Sequence, residues 1–119
     1  MAKHNELGKK GEEEAVAFLR EKNYKILVRN YRYLKAEIDI IAQKNNTLIA
    51  VEVKTRSTAE FGNPQDFVKP KKIKLMLNAF DHYITTNDLE VEARFDIIAI
   101  VKNKLGMRIE HLEDAFLYF

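Results

Sequence analysis

The sequence predicts an α/β fold, and three observations carry the prediction. Two segments, Leu7 to Lys22 and Pro70 to Thr86, repeat their apolar residues at helical spacing. Apolar or alternating runs at 24–33, 37–42, 47–55, 94–101 and 107–112 read as strands. Between two of these runs stands Asn45-Asn46, residues that tolerate positive φ and so suit a tight hairpin turn.

In the first segment, Gly8, Gly11, Ala15, Phe18 and Leu19 share one face, whose small residues allow close approach to a sheet. Glu12 projects onto that buried stripe, and an inward carboxylate needs a reason. Glu13 and Glu14 project sideways or outward, as an acidic first turn complementing the helix dipole. Tyr24 to Tyr33 alternates and reads as a strand near a sheet edge. Its end, Arg29-Asn30-Tyr31-Arg32-Tyr33, mixes cations with aromatics, a pattern that suits phosphates and bases as well as a solvated edge.

The hairpin is the chemically informative stretch. A turn at Asn45-Asn46 pairs Lys44 with Thr47 and Gln43 with Leu48. Counting back sets Asp39 opposite Glu52 and Glu37 opposite Lys54, and strict alternation sends all four side chains to one side. Like charges facing each other across a ladder are destabilising. An unpaired buried carboxylate costs several kcal/mol against a total stability of ~5–15 kcal/mol. Either the carboxylates are solvated in a cleft or a cation sits between them, and a divalent metal with oxygen ligands is the natural cation. A solvent-facing hairpin with a Glu37–Lys54 pair is the structural alternative.

Residues 56–68 form the longest irregular stretch. They carry turn formers but also Phe61 and Phe67, in a place from which a loop can cover a site. Pro70 then opens the second helix, with Ile73, Met76, Leu77, Phe80, Tyr83 and Ile84 as its apolar face. Lys69, Lys71, Lys72 and Lys74 crowd its N-terminus. The helix dipole disfavours cations there, so the cluster suggests an anion site for a phosphate backbone. Arg94 to Val101 reads as a central strand, Asn103 to Gly106 as a turn, and 107–112 as a further strand. His4, His82 and His111 are scattered and read as surface residues.

The 119 residues, 46% of them hydrophobic, suit one domain spanning 1–119. There is no cysteine, which removes disulfides and thiolate metal sites. No apolar leader and no membrane-length apolar run are visible, so the expected compartment is the cytoplasm and no membrane partner is expected. The net charge of +2 does not by itself indicate a nucleic-acid partner; the clustering of lysines does.

An Asp, twelve intervening residues and then Glu-x-Lys on the next strand, after a helix with an inward Glu, resembles the PD-(D/E)xK nuclease superfamily. The chain also resembles the small bacterial YraN family. The shared elements are Gly8-x-x-Gly11-Glu12-x-x-Ala15, Arg29-Asn30-x-Arg32, Glu37 to Ala42, and Val51 to Arg56. Phe61-Gly62-x-Pro64, Val68 with Lys72, Arg94-Phe95-Asp96 and Ala115-Phe116 follow in the family's order. Ala36 departs from it, standing where the family has glycine; if the backbone needs positive φ there, Ala is costly.

The resemblance implies a restriction-endonuclease-like fold, a central mixed sheet flanked by helices. It implies that Asp39, Glu52 and the backbone carbonyl of Val53 hold magnesium or manganese. Lys54 would orient or deprotonate the attacking water, Glu12 would support the site or ligate a second metal, and Lys72 would meet the phosphate backbone. Lys69, Lys71, Arg56, Arg29 and Arg32 are the further candidates for nucleic-acid contacts, and Glu37 supports Lys54. The expected activity is metal-dependent hydrolysis of phosphodiester bonds in DNA rather than RNA, directed by structure or by an end. So small a surface also makes a homodimer an expectation to test. A non-catalytic nucleic-acid-binding module of the same fold, or a structural or protein-interaction domain, are the alternatives.

Overall fold

A computed structural model describes residues 2–57 and 69–115, with side chains from residue 7 onward. The loop expected to cover the site (58–68, with Phe61, Phe67 and Val68) and the tail from Phe116 lie outside the described residues. In chain order the elements are α1 (Ala2–Glu21), β1 (Lys25–Tyr33), β2 (Ala36–Lys44), β3 (Thr47–Arg56), α2 (Pro70–Thr86), β4 (Glu92–Asn103) and β5 (Gly106–Leu112). No described helix is long and apolar enough to cross a membrane.

The strands form one mixed sheet in the order β1-β2-β3-β4-β5. All neighbours are antiparallel except β3 and β4, which are parallel, the pairing that needs a crossover element. Helix α2 lies in that crossover. β1 is an edge strand, as its alternation predicts, and β4 lies inside the sheet. Asn45, with φ of 55°, takes the turn between Lys44 and Thr47.

Alternation along β3 divides the core between two faces. Ile49 and Val51 pack with Ala15, Val16 and Leu19 of α1, while Leu48 and Ala50 pack with Ala79 and Phe80 of α2. Each fully buried Ile or Leu contributes about 1.5–3 kcal/mol, so the hairpin base is held from both sides. Helix α1 is longer than its periodicity indicates, beginning at Ala2 rather than Leu7. It ends with Asn23 at φ 69° and the Tyr24 amide donating to the Leu19 carbonyl, a left-handed cap.

Two departures from the sequence reading follow from packing. Gly8 is exposed, whereas Gly11 is buried against β3. A Cβ on Gly11 would stand 1.9 Å from Thr55 Oγ1, so glycine alone admits this approach of α1. Glu14 is not turned outward: it pairs with Lys102 of β4, which fastens α1 across the sheet. Ala36 begins β2 opposite Tyr33 with no positive φ, and Leu34 takes the left-handed position of the preceding turn at 56°. Alanine therefore costs no backbone strain there.

Candidate functional site

The register of the hairpin is the one counted from the turn, running from Lys44–Thr47 to Ile40–Val51. Past that pair a side chain replaces the backbone. The Val53 amide donates to Asp39 Oδ2 at 2.8 Å. Asp39 thus closes the end of the ladder with its own carboxylate.

Alternation also breaks at Asp39. Ile40 packs in the α1-side core, while Ile38, two residues earlier, packs in the α2-side core with Leu48 and Ala50. On the facing strand β1, Asn30 lies between the pairs Arg29–Ile40 and Tyr31–Ile38 and has φ 55°. Strict alternation therefore does not run through Asp39, although Asp39, Glu52 and Lys54 still meet. Asp39 and Glu37 stand at a seam between two clefts.

The α1-side cleft, about 530 Å³, is lined by Lys9, Glu12, Arg32, Lys54 and Arg56 as well as Glu37 and Asp39. The α2-side cleft, about 240 Å³, is lined by Lys35, Glu52, Lys72 and Met76, again with Glu37 and Asp39. Both open to solvent.

The Asp39 and Glu52 carboxyl groups adjoin and bias each other's titration. Burial and the adjoining Glu52 push the Asp39 carboxyl up to about 8, although the Val53 amide opposes the shift. Glu52 is 2% exposed. Burial pushes it up, but the hydrogen bonds from Asp39 and Lys72 outweigh burial and hold it below the usual carboxylate range. One proton is thus shared by two acids, as expected where like charges adjoin.

Two ammonium groups reach the same oxygen. Lys72 Nζ hydrogen-bonds Glu52 Oε2, and Lys54 Nζ lies 3.7 Å from it. Burial lowers the Lys54 pKa. Burial also pulls on Lys72, but its bond to Glu52 prevails and raises it.

The remaining candidates take these positions. Glu12 Oε1 accepts from Asn30 Nδ2 at 3.0 Å and Arg29 Nε at 3.3 Å, which ties α1 to β1 beside Asp39. Glu37 does not pair with Lys54: Arg32 holds it at 3.3 Å, because Lys54 is drawn to the buried Glu52. Arg56 Nη1 donates to the Thr55 carbonyl at the cleft wall. Lys69 and Lys71 are exposed at the start of α2. Lys72 goes inward because it shares a helical stripe with Met76 and Ala79. That spacing is visible in the sequence, yet reading the lysines as one exposed cluster hides it. Asp39 and Glu52 have no third Asp, Glu or His among the described residues to complete an all-protein metal cage.

A second charged centre lies apart. Asp96, fully buried on β4, accepts from Arg94 Nε and Nη2 (2.9 Å each), His111 Nε2 (2.7 Å) and the Asp114 amide (3.0 Å). Arg94 also reaches the Tyr24 hydroxyl at 2.8 Å. His111 is therefore no surface residue: its side chain is 5% exposed. His82 likewise stacks on Tyr33, with ring centroids 3.9 Å apart. The sequence signal for His111 is slight, a position two residues beyond the core-facing Ile109 on β5.

A family model described as "Uncharacterised protein family UPF0102" matches residues 11–100, a span that holds Asp39, Glu52, Lys72 and Asp96. A UPF0102 protein of Christiangramia forsetii is 68% identical over 119 residues, covering the whole of both chains. One of Flavobacterium psychrophilum is 58% identical, again over the whole of both. One of Bacteroides thetaiotaomicron is 47% identical over 116 residues, 98% of this chain and 96% of its own. Helix α1 from Gly11 on, the hairpin, α2 and most of β4 fall in the matched span, and on that extent of similarity the chain belongs to the uncharacterised protein family UPF0102.

Proposed function

We propose that this chain is a metal-dependent nuclease of the PD-(D/E)xK kind that hydrolyses phosphodiester bonds in DNA. One observation carries the reading: Asp39, at the seam of two open clefts, adjoins the Glu52 carboxylate, and burial together with that neighbour keeps its proton to about 8. A structural acid pair gains nothing from facing solvent-filled clefts in this state.

The donor set fits a hard divalent cation. Magnesium takes few protein ligands and keeps sites for water and phosphate oxygen, which suits two carboxylates without a third. Asp39, Glu52 and the Val53 carbonyl would hold it. When bound, magnesium or manganese supplies positive charge for the phosphate under attack.

The chain's own residues do the rest. Lys54 is held close to the carboxylates by burial, and its lowered pKa suits an amine that orients water and neutralises charge developing on phosphate oxygens. Arg32, Arg56 and Lys9 give the α1-side cleft a cationic wall for flanking phosphates. Glu12 supports the seam through Arg29 and Asn30. The lysines at the start of α2 extend the basic surface past the other cleft. Little surface remains for reading base sequence, which favours recognition by strand structure or end, with a homodimer as the form that enlarges the footprint.

Branched, flapped, single-stranded and duplex DNA, with RNA counterparts, test the reading in magnesium and in manganese. Wild type should cleave at least one DNA form. Asp39→Ala and Lys54→Ala should each lose at least ~100-fold, about 2.7 kcal/mol, while still binding. Wild type that cleaves nothing overturns the enzyme. Salt-dependent binding without cleavage would instead indicate a non-catalytic nucleic-acid-binding module.

A further inference from the structure

We propose that Lys72 gates the cation site: its ammonium group is the built-in counter-ion of Glu52, and cation entry transfers it from Glu52 to the substrate phosphate. The inference rests on the reading of Asp39 and Glu52 as a cation site.

The two lysines on Glu52 are not equivalent. Lys54 belongs to a central strand and its side chain is 20% exposed. Lys72 approaches from the first turn of α2, and its side chain is 43% exposed. Its neighbour Ile73 and, one turn on, Met76 are buried, so the helix under it is fixed. The four-carbon stem alone can swing, with no backbone movement. Lys72 is therefore the removable partner and Lys54 the resident one.

Glu52 Oε2 is also the oxygen that both ammonium groups share. A dication at Asp39 and Glu52 meets two positive charges on one ligand, and repulsion expels the charge that can reach water. The cleft receiving Lys72 bears Lys35 beside the carboxylates of Glu37, Asp39 and Glu52; once a dication offsets the Asp39 and Glu52 charges, the two ammonium groups are left to meet a phosphate. Cation and phosphate then favour the same position of one side chain, so each strengthens the binding of the other.

Manganese affinity measured from the free-ion spin signal, at neutral pH and low salt, tests the gate. Lys72→Met should bind manganese about tenfold more tightly than wild type, since a competing charge is gone. Lys72→Arg, which keeps the charge, should match wild type or bind more weakly. Equal or weaker binding by Lys72→Met overturns the gate and leaves the cation site standing. Manganese binding by none of the three overturns the cation site and the gate with it. A second measurement needs no charge-removing variant. In the wild-type chain with ¹³C-methylated lysines, magnesium should move the Lys72 signal, assigned by its loss in Lys72→Arg, towards that of solvated lysines. A signal that stays in place under saturating magnesium overturns the proposal.

Discussion

Two buried acidic centres sit on one sheet and are handled in opposite ways. Asp96 lies deep on β4 with four donors on its two oxygens. Burial pushes its pKa up, but His111, Arg94 and the Asp114 amide more than offset burial and bring it below the ordinary value. Asp39 adjoins another acid, borders both clefts and is pushed up to about 8. Burial is common to both. What differs is whether the fold supplies enough donors and whether solvent has access. A carboxylate with all its partners fastens chain segments together. One that adjoins another acid beside a cleft is where the proposed function would place a ligand.

The contrast breaks most visibly at Asp96. Asp96→Ala strands Arg94 and His111 and releases the Asp114 amide. Urea unfolding should show a loss of about 3–5 kcal/mol, the usual consequence of breaking a buried charge pair. Asp39→Asn should cost far less, because the amide keeps an oxygen for the Val53 N–H and, like the protonated acid, adds no charge beside Glu52. Equal losses at both positions would make the hairpin acids as structural as Asp96.

A pH effect sharpens the other side. Asp39 has a folded pKa of about 8 against an ordinary value of 3.8, so it is raised. A raised acid contributes stability that is full below 3.8 and is lost as pH rises through about 8. Wild type should therefore lose stability between pH 5 and 9, about 4 kcal/mol from this group. Asp39→Asn should flatten that decline, and magnesium should restore wild type at the alkaline end. Urea midpoints across that range, with and without magnesium, check the sign. A decline that survives in Asp39→Asn would assign it to another group.

The two centres were not equally legible in the sequence. The helices, the hairpin register and the edge position of β1 followed from periodicity and turn chemistry, because those are local. The pairing of Asp39 with Glu52 was local too, two residues counted from one turn. The seam was not, because nothing in the spacing shows that Ile38 and Ile40, two residues apart on β2, pack into opposite cores. Lys72 was half legible: its helical stripe marks it inward, but only the fold shows that Glu52 meets it there. The Asp96 centre joins residues from the start of β1 to the end of β5, and nothing in local spacing announces such a contact. Sequence patterning sees which residues share a face; it does not see which faces meet.

The finest test concerns Glu12, which touches both themes. Its carboxylate is held by Arg29 and Asn30, as Asp96 is held by its donors, yet its charge also contributes to raising Asp39, after burial and Glu52. Glu12→Gln keeps an oxygen for Asn30 and removes the charge. Stability should change by about 0.5 kcal/mol or less, since the Arg29 pair is partly exposed. The Asp39 titration, followed by carboxyl ¹³C shifts, should step slightly downward. If it does not move, Arg29 already neutralises Glu12, and the role of Glu12 is confined to tying α1 to the strand beside the seam. If it moves, Glu12 takes part in the charge balance that a cation would meet there, and the boundary between the supporting residues and the site runs through α1 rather than at the end of the hairpin.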